Sequence, residues 1–79
     1  MTDTTTDDTA GRPAVPRVVR GLLADYGTIT HPLLVAMTHA ETAAAPWIIR
    51  ATIERLEQDG EIYNATGDDT RPRWRLTSL

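Results

Sequence analysis

The stretch Pro46-Trp47-Ile48-Ile49-Arg50-Ala51-Thr52-Ile53-Glu54-Arg55-Leu56-Glu57-Gln58-Asp59-Gly60 carries its own start and stop. Ile49, Ile53 and Leu56 recur at the i, i+4, i+7 spacing that puts side chains on one stripe of a helix. Pro46 suits a first helical position, where an N–H has no partner to lose. Gly60 suits the left-handed residue that ends a helix, where a side chain is strained. One helix of about four turns follows, with Trp47, Ala51, Glu54 and Gln58 opposite the apolar stripe and Arg50 and Arg55 on its flanks.

The rest of the chain has to cover that stripe with few residues. At 79 residues the chain is expected to form one small domain, near the size at which one core just suffices. It has no cysteine, which excludes disulfides and thiolate zinc sites. No apolar run approaches a bilayer span, and the amino-terminal segment is acidic and Thr-rich, so a reducing cytoplasm is the expected location. All eight basic residues are arginine, the better bidentate partner for phosphate and guanine. The formal charge of -3 resides in Asp3, Asp7 and Asp8, because the remaining acids and arginines balance.

Residues 1–13 are polar and repetitive, with too little apolar surface to fold, and read as a disordered tail ahead of a domain at 14–79. From Val15 the pattern changes. Val15, Val18, Val19, Leu22, Leu23 and Tyr26 trace an amphipathic helix that stops at Gly27. Thr28-Ile29-Thr30 is a β-branched triplet, long enough for one rung of a small sheet. Thr30 then offers a hydroxyl to cap a second helix from His31 to about Ala40, with Leu33, Leu34, Ala36 and Met37 as its buried side. Glu41-Thr42-Ala43 forms the break, and an interval this short forces a tight corner between the second and third helices. After Gly60, Ile62 to Thr66 alternates loosely, Gly67-Asp68-Asp69 is a turn, and Arg71 to Thr77 alternates strictly. This predicts a hairpin with Trp74 and Leu76 on one face and Arg71, Arg73 and Arg75 on the other.

The order helix, rung, helix, turn, helix, hairpin resembles the winged helix-turn-helix fold, an α+β class of three helices with a two- to three-stranded β wing. The run Ile49-x3-Ile53-x2-Leu56-x3-Gly60-x-Ile62 is similar to that family's passage from recognition helix to first wing strand. The triplet region "GTIT" and the closing "WRLT" also fit, and small archaeal and phage repressor-like proteins are the members it resembles. The resemblance implies binding of double-stranded DNA by a transcriptional regulator, with the third helix in the major groove and the hairpin on the backbone or minor groove. Carried over by position, it implies groove contacts from Trp47, Arg50, Ala51 and Glu54, with Arg55 beside them. It implies wing contacts from Arg71, Arg73 and Arg75. Two departures stand out: Asp68 and Asp69 occupy the wing tip, and residues 46–76 hold six acids against five arginines. Phosphate neutralisation therefore has to come from a local patch.

Each candidate has a simpler reading. The three alternating arginines equally make a soluble strand face that discourages edge pairing. Arg50 equally pairs with Glu54 one turn on. Trp47 equally packs as a flank or anchors a protein interface, so a protein–protein module using Trp47 and Ile48 is the alternative function. A homodimer is also open. His31 and His39 lack a third ligand for metal, the lone Ser78 lies at the terminus, and Asp68-Asp69 reads as a turn pair. No enzyme activity, cofactor or metal is therefore expected.

Overall fold

A computed structural model describes residues 14–78, and the expected tail at 1–13 lies outside the described residues. Three helices and three short strands follow in order: α1 (Ala14–Tyr26), β1 (Thr28–Thr30), α2 (His31–Thr42), α3 (Pro46–Gln58), β2 (Ile62–Asn64) and β3 (Arg73–Leu76). The architecture is α+β. The strands form one antiparallel sheet in the order β1-β3-β2, so the triplet does join the hairpin as its third strand. Ile29 stands opposite Trp74, and Ile62 opposite Leu76.

The period of each sequence stripe explains the core. Val15, Val19 and Leu23 of α1 and Ile49, Ile53 and Leu56 of α3 are buried. Leu34 of α2 and Ile29, Ile62 and Trp74 from the sheet complete one apolar cluster. Because side chains alternate across a strand, Trp74 enters the core while Arg73 and Arg75 remain outside. Tyr26, expected on the buried stripe of α1, is instead 65% exposed. It ends the helix one residue before Gly27, whose φ of 84° turns the chain away toward the sheet.

The second helix departs furthest from expectation. It runs to Thr42, so Glu41 and Thr42 belong to the helix and the connection to α3 is Ala43 to Ala45. Ala43 closes it at φ 60°, the left-handed geometry that usually takes glycine, with its N–H donating to His39 O at 2.8 Å. Leu34 and Thr38 are buried, Met37 is half-buried, and Leu33 and Ala36 face outward. Thr30 does precede the helix, but its hydroxyl makes no capping bond. The residue just before β3 supplies the partner at this end, since the His31 N–H donates to Pro72 O at 3.0 Å.

The end of α3 follows its glycine closely. The Gly60 N–H bonds Glu57 O at 3.0 Å and the Glu61 N–H bonds Leu56 O at 2.9 Å, the paired bonds of a Schellman cap. Gly60 sits at φ 80°. The hairpin that follows is shorter than expected: β3 starts at Arg73, and Arg71 lies in the connecting loop. Pro72 has no N–H to give a ladder, and the loop is organised by side chains instead. Asn64 Oδ1 accepts the Arg73 N–H at 3.2 Å and the Thr66 N–H at 3.1 Å, while Asn64 Nδ2 donates to Asp68 O.

Candidate functional site

With Ile49, Ile53 and Leu56 turned inward, the outer face of α3 is fixed by geometry. Trp47, Arg50, Ala51, Glu54 and Arg55 are all exposed on it, and Trp47 keeps 67% of its surface in solvent. A tryptophan left this bare by its own chain is unusual for so large an apolar ring. Ile48 is half-buried beside it. Together Trp47, Ile48, Ala51, Thr52 and Arg55 line a shallow depression of ≈ 300 Å³. The expected alternative of an Arg50–Glu54 ion pair is not formed. Among the described residues the ion pair is Arg20–Glu61 at 3.1 Å, which joins α1 to the segment after α3. Both partners are well exposed, so it contributes at most about 1 kcal/mol.

Arg73 and Arg75 stand two residues apart on the solvent face of β3, opposite Thr30 and Thr28 respectively, with Tyr63 across from Arg75. Arg71 is exposed in the loop and does not share that strand face. It lies instead at a hollow of ≈ 480 Å³ between the hairpin loop and the start of α2, lined by Thr30, His31, Pro32, Thr70, Arg71, Pro72 and Arg73. Two arginines are thus brought to one concavity that is continuous with the strand face.

His31 ties this hollow to the core. The indole Nε1–H of Trp74 donates to His31 Nδ1 at 3.0 Å, with the rings edge to face at 6.2 Å. An indole nitrogen only donates, so Nδ1 accepts and the imidazole is neutral with its proton on Nε2. Burial lowers the His31 pKa below its usual value, and the nearby Arg50 guanidinium lowers it further. Arg71 and Arg73 from the hairpin line the hollow together with His31.

The acidic loop tip is accounted for by the loop itself. Asp68 Oδ1 accepts the Thr70 hydroxyl at 2.7 Å and the Thr70 N–H at 2.9 Å. Those bonds, the hydroxyl first, hold its carboxyl below the usual carboxylate range. Asp68 is a turn-building residue whose charge is engaged within the turn.

No protein-family model matches the chain, and no curated protein or solved structure matches it.

The site therefore stands on geometry. Every candidate from α3 is at the surface, and of the hairpin arginines Arg73 and Arg75 share the strand face while Arg71 joins Arg73 at the hollow. Neither the hollow nor the part of His31 in it follows from spacing in the sequence, because its lining comes from two segments about forty residues apart. Among the described residues no group of three His, Asp or Glu side chains is placed to hold a metal ion. No described helix is long and apolar enough to cross a membrane.

Proposed function

We propose that this chain is a winged helix-turn-helix domain that binds double-stranded DNA as a repressor-like transcriptional regulator. The observation that carries the reading is the placement of Arg71 and Arg73 on one hollow with His31, next to Arg75 on the adjoining strand face. It supplies a local positive patch in a chain whose net charge is -3. In this reading α3 enters the major groove with Trp47, Arg50, Ala51 and Glu54 toward the bases, and Arg55 at the groove edge. Arg50 is unpaired with Glu54 and so is free to take a guanine edge with two hydrogen bonds. The hairpin is the wing, and Arg71, Arg73 and Arg75 neutralise phosphates. Selection of binding sites from random duplex DNA, at low and at high salt, tests it: an enriched sequence supports the reading, and no retained DNA at low salt rejects it.

A second reading has its own observation. The bare Trp47 and the depression it shares with Ile48, Ala51, Thr52 and Arg55 suit a protein partner that inserts an apolar side chain. Under that reading α3 is an interface helix, and loss of Trp47 removes the partner while leaving DNA irrelevant.

A further inference from the structure

We infer that His31 is a neutral hydrogen-bond donor to a phosphodiester oxygen of bound DNA, seated in the hollow with Arg71 and Arg73 and fixed in its tautomer by Trp74. The inference rests on the DNA-binding reading and adds to it a contact that carries no charge.

The hollow is built for an oxyanion with something less polar attached. Arg71 and Arg73 supply charge, Thr30 and Thr70 line the walls, and Pro32 and Pro72 supply apolar surface on which a deoxyribose can pack. The Thr70 hydroxyl is committed to Asp68, so it is not a free donor. The His31 backbone N–H is likewise committed, to Pro72 O. The His31 ring differs. Its Nδ1 is occupied by the Trp74 indole, and its Nε2–H has no protein partner among the described residues.

Trp74 is here a positioning residue. It is buried in the core at 6% exposure, so the indole N–H that orients His31 is held by packing rather than by the ligand. An imidazole free in solution spends part of its time in each tautomer, or protonated below its pKa. One whose Nδ1 accepts from a fixed donor presents its Nε2–H permanently. The charged side chains that line the hollow with His31 are Arg71 and Arg73, both positive, and Arg50 adds to burial in lowering the His31 pKa. The pocket thus combines cations, whose contribution to binding depends on salt, with one donor whose contribution does not.

This separates the roles in one experiment on the full chain. Affinity for a short duplex is measured against salt for the wild type, His31→Phe, His31→Gln and Arg71→Ala. In parallel, a long-range proton–nitrogen correlation spectrum of the wild type follows both histidines during titration with the duplex and with inorganic phosphate. The spectrum of the free protein is expected to show His31 as the Nε2–H tautomer, and the duplex is expected to shift its Nε2–H. His31→Phe is expected to weaken duplex binding by about tenfold with an unchanged salt slope. His31→Gln, which keeps a donor, is expected to recover most of that loss, and Arg71→Ala to reduce the slope by about one unit. Duplex binding that survives in His31→Phe, or a slope that falls as it does for an arginine, overturns the inference and leaves the DNA reading intact. So does a free protein whose His31 is protonated or in the other tautomer, a result that needs no variant to fold. If inorganic phosphate shifts His31 but no duplex binds, the DNA reading falls, and the phosphodiester falls with it as the ligand.

Discussion

The side chains of Trp74 and His31, at the middle of β3 and the first residue of α2, are joined by a 3.0 Å hydrogen bond from indole to imidazole. The bond needs a neutral ring. His31 binds a proton less readily in the folded chain than in the unfolded one, because burial and Arg50 lower its pKa from 6.5. The unfolded state therefore takes up more protons as pH falls, and stability is lost on that side. Stability is expected to be flat above the unfolded value and to fall as pH drops through about 6.5 toward the lower folded value. Thermal melts across that range check this, and His31→Gln is expected to flatten the profile. A wild-type profile that rises toward acid contradicts the assignment.

A second prediction concerns the core stripe of α3. Ile53 and Leu56 are buried within one apolar cluster shared by all three helices and the sheet. Ile53→Ala or Leu56→Ala is expected to cost about 2–5 kcal/mol, through lost transfer energy and the cavity left behind. A domain this small has little more than that in total. Urea denaturation of each variant measures it, and a midpoint near that of the parent would mean that α3 is packed otherwise.

The third prediction concerns Thr38. It is fully buried in α2, and its hydroxyl has no hydrogen-bond partner. Thr38→Val keeps the branched shape and removes the unsatisfied group, so it is expected to stabilise by about 1 kcal/mol. The reverse result, a loss of similar size, would mean that the hydroxyl has found a partner such as the carbonyl one turn back.

Thr38 also marks where the sequence was hardest to read. Residues 33–37 of α2 are apolar all round, Leu-Leu-Val-Ala-Met, so no stripe is singled out and Leu33 was expected inside. The structure turns Leu34 and Thr38 inward and leaves Leu33 52% exposed. In α1 and α3 polar residues alternate with apolar ones at the helical period, and there the buried side was legible apart from Tyr26 at the very end. The outer face of α3 came with it, being simply the complement of the buried stripe. The hollow did not, because the pairing of β1 with β3 creates it by setting Thr30 opposite Arg73. Arg71 was misplaced on the strand because strict alternation continues through Pro72, whereas the ladder stops there for want of an N–H.

The corner between α2 and α3 yields a fourth prediction. Ala43 holds a left-handed φ of 60°, which strains any residue with a side chain. Ala43→Gly is expected to relieve that strain and raise stability by about 0.5–1 kcal/mol, net of the freedom glycine gains in the unfolded chain. At Gly60, with φ 80°, the opposite exchange to alanine is expected to cost about 1 kcal/mol. Paired chemical melts of the two variants decide the matter, and equal signs would contradict it.

The most direct measurement of the functional account is duplex affinity as a function of salt, for the wild type and for Arg73→Ala, Arg75→Ala, Arg50→Ala and Trp47→Ala. The account predicts a linear fall of log K with log salt in the wild type. Each strand arginine removed is expected to shallow that slope by about one unit and weaken all sequences alike. Arg50→Ala is expected to relax preference at one base position, at a cost of about 1–3 kcal/mol. Absent or salt-insensitive binding by the wild type, together with a protein partner lost only in Trp47→Ala, would contradict the account and leave α3 as a protein interface.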